Sequence, residues 1–193
     1  MYVVSTLDAA CMIDTVNQVS AGDLPLISIS VNKNNYTHQK IFKSQKFALS
    51  ILSKDTDPNI IQTFGMTSSK NNNKFQNFSF STVENIKVLN DSIGYIYCEV
   101  VDIIDADTHT IFIGRVKKEK IYNDKEPMSY NYYQDHKEEL MQKVKTANNK
   151  IAWICTVCGY IKYIDTLPED FKCPICGVDV NMFKKINIEG GDK

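Results

Sequence analysis

The sequence predicts a mainly β protein, in which an antiparallel barrel with a few short helices is followed by a small metal-binding domain. Three observations predict this fold class. Residues 2 to 122 consist mostly of segments rich in β-branched and aromatic residues. Helical patterns are too few to follow each strand, as a parallel α/β sheet would require. Near the end of the chain, four of the six cysteines form two CxxC pairs.

Six segments have strand character: YVVST, MIDTV, LISISV, FALSIL, IGYIYCEVVDII and HTIFIGRVKKEKI. In LISISV (residues 26–31) the serines alternate with β-branched residues, which places the two sets on opposite faces of a strand. The last two segments are separated by DADTH, whose aspartates suit a hairpin turn. A closed or half-closed antiparallel barrel accommodates this order of strands.

Three segments predict helices. NNYTHQKIFKSQK (residues 34–46) has an asparagine at the N-cap position and places Ile41 and Phe42 on one side. DPNIIQTFG (residues 57–65) has a proline just inside its start and ends at Gly65. YYQDHKEELMQKV (residues 132–144) spaces Glu139 and Lys143 to pair across one turn.

The change of composition along the chain predicts two domains. Residues 1–142 form the barrel domain, residues 143–150 form a linker containing the polar stretch KTANNK, and residues 151–187 form the small domain. So short a segment buries little surface, and units of this size usually need a metal or disulfides to fold.

Composition excludes some classes of partner. The net charge is -1 and Arg115 is the only arginine, so the composition does not indicate a protein that binds nucleic acid or an anionic membrane. No apolar run approaches the roughly 20 residues that span a bilayer. The first residues lack the basic region of a signal peptide, so we expect a cytoplasmic location. Cys11 and Cys98 lie alone in apolar segments and are expected to be buried as small hydrophobic residues.

The two CxxC pairs indicate one metal site. Each pair lets two thiolates approach one ion from a tight turn, and a glycine follows each pair. Tetrahedral sites of four thiolates hold zinc or iron, and the spacing alone does not distinguish the two. In a reducing compartment such pairs favour a metal over disulfides. The predicted ligands are Cys155, Cys158, Cys173 and Cys176.

The residues around these cysteines resemble a rubredoxin. Trp153 lies two positions before the first cysteine, CGY follows the second, LPEDFKCPICG surrounds the second pair, and Phe183 closes the domain. The interval between the pairs is short, and in this it is similar to the rubredoxin-like tails of rubrerythrins and of fused redox proteins. The resemblance implies one iron, with zinc as the alternative. Four thiolates leave no open position for a substrate, so the centre is expected to relay single electrons.

The barrel segment carries a second resemblance. DTVNQV (14–19), PLISISVNKNNYT (25–37), FALSILS (47–53) and DTHTIFIGRV (107–116) resemble the FMN-binding split barrel of the flavin reductase family. The resemblance extends over roughly residues 1 to 133 and implies an FMN cofactor reduced by a nicotinamide.

This resemblance also implies the site residues. Along the flavin ring and ribityl chain we expect Thr15, Asn17, Gln18 and Val19; at the phosphate we expect Asn32, Lys33 and Thr37 beside the N-terminus of the helix that follows. His109 is expected near the nicotinamide. Lys70 and Lys74 are weaker candidates in a loop that lies near the cofactor in the family. His38 and His136 have polar neighbours and are expected to be solvated.

As a whole, the chain is similar to the fused proteins called high-molecular-weight rubredoxins. The resemblance implies an NAD(P)H-dependent oxidoreductase that passes electrons from NADH or NADPH through FMN to iron and on to a redox partner such as a flavodiiron protein, which reduces oxygen or nitric oxide. It also implies a homodimer. One alternative is a non-catalytic barrel with a structural zinc ribbon that binds a partner protein. Another is a flavin barrel that accepts its electrons from a protein rather than from a nicotinamide.

Overall fold

The computed structural model describes residues 1–70, 72–142, 151–164 and 166–187. The chain forms two compact units, Met1–Asp135 and His136–Lys193. The predicted linker, residues 143–150, lies outside the described residues. Among the helices that the structure describes, none has the length and apolar character needed to cross a membrane.

The elements follow one another in an order dominated by strands. In chain order they are β1 (Tyr2–Thr6), β2 (Ala9–Ile13), β3 (Val16–Gln18), β4 (Leu26–Asn32), α1 (Tyr36–Ser44), β5 (Lys46–Ile51), α2 (Pro58–Met66), β6 (Phe80–Val83), β7 (Ile86–Leu89), β8 (Gly94–Ala106), β9 (His109–Ile121), α3 (Tyr130–Gln142), β10 (Ile151–Cys155), β11 (Ile161–Tyr163), a 3₁₀ turn (Val180–Met182) and β12 (Phe183–Asn187).

The first unit is built on a seven-stranded antiparallel half-barrel in the order β2-β1-β5-β8-β9-β4-β3. The mainly β fold class is therefore confirmed. The hairpin predicted at DADTH joins β8 to β9, and Asp107 adopts the positive φ of 56° that such a tight turn needs. The predicted strand MIDTV is wrong in one respect, since it is divided between β2 and β3 on either side of residues 14–15.

The core of this unit lies on one face of the half-barrel. Ile27, Ile29 and Val31 of β4 are buried and the serines between them are half-exposed, which confirms the predicted alternation. Each such buried side chain contributes roughly 1.5–3 kcal/mol. Gly114 of β9 is required by close packing, because a Cβ there would lie 2.6 Å from Cζ of Phe47.

Both isolated cysteines belong to this core, as predicted. Cys11 is 4% exposed and Cys98 is fully buried. Burial raises the pKa of Cys98 to about 12, so its thiol stays protonated and unreactive at neutral pH.

The helices begin where their caps predict. Asn35 caps α1 by accepting a hydrogen bond from the Thr37 amide at 2.9 Å, and Asp57 caps α2 by accepting one from the Asn59 amide at 2.9 Å. The predicted end of α2 at Gly65 is short by one residue, since the helix includes Met66. The hairpin of β6 and β7 was not predicted. It turns at Glu84 and Asn85, which have φ values of 48° and 65°.

The second unit contains a three-stranded sheet in the order β11-β10-β12. Its core is small: Cys155, Leu167, Cys173 and Phe183 are buried, and aromatic side chains pack against them. Such a core is too small to stabilise the unit alone, which agrees with a requirement for metal.

Candidate metal centre and flavin-binding face

The four cysteines of the second unit converge on one point. Their Sγ atoms all lie within 4.8 Å of one another. The Sγ atoms of Cys158 and Cys173 are 3.4 Å apart, and those of Cys155 and Cys176 are 3.7 Å apart. Each of these close pairs consists of one cysteine from each CxxC turn. An ion bound at about 2.3 Å by four tetrahedral thiolates needs sulfurs about 3.8 Å apart. The residues therefore fit a tetrahedral metal centre.

The two CxxC turns have the same backbone construction. In the first, the Gly159 amide donates to the carbonyl of Cys155 at 2.9 Å; in the second, the Gly177 amide donates to the carbonyl of Cys173 at 2.9 Å. Both glycines have a φ of 77°, a conformation that other residues adopt with strain. The glycine after each pair thus closes the turn that brings its two sulfurs together.

The surroundings favour thiolate at Cys173 and thiol at Cys158. Hydrogen bonds from the Cys158 thiol and from the amides of Cys176 and Ile175 together lower the pKa of Cys173 to about 5 against the opposing effect of burial, and the same Cys158–Cys173 hydrogen bond raises the pKa of Cys158. Cys158 and Cys176 are half-buried whereas Cys155 and Cys173 are buried. The centre is therefore closest to solvent on the side of Cys158 and Cys176.

Aromatic rings enclose the centre. Phe183 lies 5.4 Å from Phe171 and 6.3 Å from Tyr160, measured between ring centroids, and both contacts are edge-on. Burial raises the pKa of the Tyr160 phenol. An aromatic core thus persists despite the short interval between the CxxC pairs, and it keeps water away from the sulfurs.

In the first unit, the outward face of β4 and β9 brings several predicted flavin residues together. His109 lies opposite Asn32, and Ile111 opposite Ser30. In addition, Asn17 of β3 lies opposite Ser28 of β4. Paired residues share a face of a sheet and alternate residues repeat it, so these side chains form one surface. We call this surface the β4–β9 face; it consists of Asn17, Ser28, Ser30, Asn32, His109, Ile111 and Ile113.

The three other predicted ring residues are not part of this face. Thr15 is exposed and its hydroxyl donates to Asp14 at 2.9 Å. Gln18 pairs with the buried Ile27, so it belongs to the opposite face of the sheet, and its side chain donates to the carbonyl of Ser20 at 3.2 Å. Val19, just beyond β3, is 50% exposed.

The residues predicted at the phosphate differ in their surroundings. Asn32 accepts from the Asn34 amide at 2.9 Å. The Lys33 ammonium contacts both carboxylate oxygens of Asp105 at 2.8 Å, and this ion pair lowers the pKa of Asp105. The Thr37 side chain is buried, and its hydroxyl oxygen has no hydrogen-bond partner among the described residues. A phosphate would therefore compete with Asp105 for Lys33.

The prediction that His38 is solvated is wrong. Its Nε2 lies 2.8 Å from the hydroxyl oxygen of Thr110, and its ring packs between Phe42 and Phe112. His38 lies between Thr37 and Ile41, which are both buried, so it borders the inward face of the helix, whereas Phe42 is 54% exposed. His136 in α3 is also half-buried rather than solvated.

Lys70 and Lys74 line a cavity of about 450 Å³ beside the turn between β1 and β2. Lys74 is 5% exposed, and its ammonium donates to the carbonyl of Phe64 at 3.1 Å. Burial lowers its pKa to about 8. Lys87 and Ser69 also line the cavity. Three lysines in one cavity form a site for an anion. None of the residues that the sequence places at the flavin ring or at its phosphate lines this cavity.

Two family models match the chain, one in each unit. Residues 1–141 match the family of the flavin reductase like domain, and residues 153–184 match the rubrerythrin, rubredoxin-like domain. The ferric-chelate reductase (NAD(P)H) of Archaeoglobus fulgidus is 30% identical over 122 residues, which cover 62% of this chain and 69% of the reductase.

Solved structures share the fold of the first unit. An NADH:FAD oxidoreductase of Streptomyces globisporus superposes with a TM-score of 0.61 at 20% identity, covering 66% of this chain and 78% of the other. The flavin reductase PheA2 superposes with a TM-score of 0.55 at 25% identity, covering 65% of this chain and 80% of the other.

One relative matches nearly the whole chain. The high molecular weight rubredoxin of Moorella thermoacetica is 31% identical over 202 residues, which cover 90% of this chain and 87% of the relative. The match includes both the barrel and the cysteine cluster, in the same order. The chain therefore belongs to the high-molecular-weight rubredoxins, oxidoreductases that join a flavin reductase-like domain to a rubredoxin-like domain.

Proposed function

We propose that this protein takes electrons from NADH or NADPH into FMN, passes them to one iron held by Cys155, Cys158, Cys173 and Cys176, and delivers them to a redox partner protein. The observation that carries the proposal is the four-sulfur cluster, with all Sγ atoms within 4.8 Å, in a chain that also holds a flavin reductase-like domain. Four thiolates fill the coordination of the metal, so the centre accepts electrons and not a substrate.

The pairing of two cofactors has a chemical reason. A nicotinamide donates two electrons as a hydride, a bound flavin accepts the pair and releases electrons singly, and a four-thiolate iron exchanges one at a time. The protein's part is to bind, orient and shield these groups. No side-chain acid or base is needed, which is consistent with the absence of any such constellation among our sequence predictions.

The β4–β9 face supports binding of the flavin ring. It offers flat apolar contact from Ile111 and Ile113, and hydroxyl and amide groups from Ser30 and Asn17. In this arrangement Thr15 and Val19 border the ring, and His109 at the end of the face contacts the nicotinamide; Gln18 projects to the opposite side of the sheet and makes no ring contact. These residues bind and orient; none is required to transfer a proton.

We place the phosphate at the end of β4, where Asn32 and Lys33 precede α1. The N-terminus of α1 favours an anion at this turn, whereas the Thr37 hydroxyl is 1% exposed and lies beside the Cys11 thiol. Lys33 would exchange Asp105 for the phosphate. The cavity with Lys70 and Lys74 is the second candidate for this anion, and variants of Lys33 and Lys74 distinguish the two.

Relatives support the choice of donor. The ferric-chelate reductase (NAD(P)H) and the NADH:FAD oxidoreductase are both named for a nicotinamide donor. We propose a homodimer, supported by Ile104 of β8, which is 45% exposed beside Ile111. We further propose a flavodiiron protein as the redox partner and a cytoplasmic location, where a reducing environment preserves free thiols.

Anaerobic mixing tests the proposal. Adding NADH or NADPH to the isolated protein is expected to bleach the yellow flavin absorbance and then the red absorbance of ferric thiolate. The control is Cys173→Ser, which removes the red absorbance and leaves flavin reduction intact. A protein that contains zinc and no flavin would support the alternative of a binding module and contradict the proposal.

A further inference from the structure

A partly buried hydrogen bond joins the start of α1 to the start of β9. His38, in the first turn of α1, places Nε2 2.8 Å from the hydroxyl oxygen of Thr110, which is 4% exposed. The imidazole ring is held by Phe42 at 6.2 Å and Phe112 at 5.4 Å between centroids. The ring is therefore fixed on three sides and contacts one residue of β9 through a polar atom.

Thr110 occupies a position that controls the end of the β4–β9 face. It lies opposite Val31 of β4, while its neighbour His109 lies opposite Asn32. Successive residues of a strand point to opposite faces, so Thr110 faces the core and His109 faces outward. Any shift of Thr110 moves the backbone from which His109 projects.

Packing alone does not explain an imidazole at this position. Burial lowers the pKa of His38, and the ammonium of Lys33 lowers it further, so the ring is uncharged at neutral pH. Its Nδ1 is buried and has no hydrogen-bond partner in the described part of the chain. An apolar ring would fill the same space without an unpaired nitrogen. What the imidazole adds is the hydrogen bond to Thr110.

We infer that His38 is a positioning residue: through its hydrogen bond to Thr110 it holds the first turn of α1 against β9 and so sets the place of His109 on the β4–β9 face. The part of this inference that concerns the nicotinamide rests on the proposed function, in which His109 contacts that donor. The part that concerns the position of His109 stands on the geometry.

Two variants break the hydrogen bond from either side. His38→Phe keeps an aromatic ring between Phe42 and Phe112 but removes Nε2. Thr110→Val keeps the volume of the side chain but removes the hydroxyl. His38→Gln retains a polar group at the end of the side chain and serves as the conservative replacement. Phe42→Leu is the matched control, because it loosens the packing of the ring and leaves the hydrogen bond in place.

The first readout is the imidazole C2–H resonance of His109, which can be assigned because the chain has only three histidines. His38→Phe and Thr110→Val are both expected to shift this resonance, and Phe42→Leu is not. The second readout is the KM for NADH in flavin reduction. Each of the two variants should raise it about fivefold, the size of one typical hydrogen bond, and His38→Gln should restore most of the loss.

The His109→Ala background provides the decisive comparison. If His38 acts through His109, His38→Phe has no further effect on the KM in that background. The inference is overturned if His38→Phe lowers only the melting temperature and leaves the His109 resonance unmoved, or if it raises the KM equally in both backgrounds. If neither nicotinamide reduces the flavin, the proposed function fails, and the His109 resonance still decides whether His38 positions that residue.

Discussion

Replacing Lys74 with methionine is expected to stabilise the first unit while weakening its binding of an anion. Lys74 is an amine buried at 5% exposure, with the carbonyl of Phe64 as its hydrogen-bond acceptor. Burial holds its pKa at about 8 against an ordinary value of 10.5. Each pKa unit corresponds to about 1.4 kcal/mol, so keeping the charge buried costs the folded state about 3 kcal/mol below pH 8.

The net gain is smaller than this penalty. Methionine fills nearly the same volume without a charge, but it leaves the Phe64 carbonyl without its donor, a loss of about 1 kcal/mol. We therefore expect Lys74→Met to raise the free energy of unfolding by about 2 kcal/mol at pH 7. Because the unfolded chain holds the Lys74 proton up to a higher pH than the folded chain, wild-type stability rises from pH 8 to pH 10.5. The advantage of the variant shrinks over the same range.

Urea unfolding at pH 7 and at pH 10 measures both effects. The signal should be far-ultraviolet circular dichroism, since the one tryptophan, Trp153, lies in the second unit. Lys70→Met at the exposed rim of the cavity is the matched control and should leave stability unchanged. A loss of stability in Lys74→Met at pH 7, or a gain that is the same at both pH values, would refute the reasoning that Lys74 is a buried cation that destabilises the fold.

Three further changes have expected outcomes. Cys173→Ser should abolish the visible absorbance of the metal centre and leave flavin reduction by a nicotinamide unchanged. Loss of both would contradict the assignment of flavin reduction to the first unit and of metal binding to the second. Gly114→Ala should lower the free energy of unfolding by roughly 1–3 kcal/mol in urea titrations, because the added Cβ lies 2.6 Å from Phe47. An unchanged urea midpoint would show that Phe47 and its neighbours rearrange without cost. Asp105→Asn releases Lys33 from an exposed ion pair, so it should leave the free energy of unfolding nearly unchanged and tighten FMN binding in a fluorescence titration. Unchanged or weaker affinity would move the phosphate away from Lys33, towards the cavity that contains Lys74.

Local patterns made most of the fold predictable. The alternation in β4, the asparagine cap of α1, the proline at the start of α2 and the turn at Asp107 depend on residues a few positions apart, and each was confirmed. The convergence of the four sulfurs was predictable for the same reason, because each CxxC turn with its glycine is a local structure. The hairpin of β6 and β7 escaped prediction because exposed serine and threonine weaken the apolar alternation of β6.

Contacts between distant parts of the chain were not predictable. The ion pair of Lys33 with Asp105 and the hydrogen bond of His38 to Thr110 each join residues 72 positions apart, and no local pattern specifies such a partner. The same holds for Lys74, which follows a run of polar residues in the sequence but whose ammonium is buried against α2. These are the contacts that decide how the candidate flavin site is charged and ordered.

The most direct test of electron transfer from flavin to iron is an anaerobic reductive titration of the isolated protein, with metal and flavin content measured on the same sample. A flavin that accepts two electrons and an iron that accepts one predict about 1.5 equivalents of NADH or NADPH per chain, with both visible bands bleached at the end point. A sample with one zinc per chain, or a flavin band that bleaches while an iron band persists, would contradict the claim that one chain carries electrons from its flavin to its sulfur-bound metal.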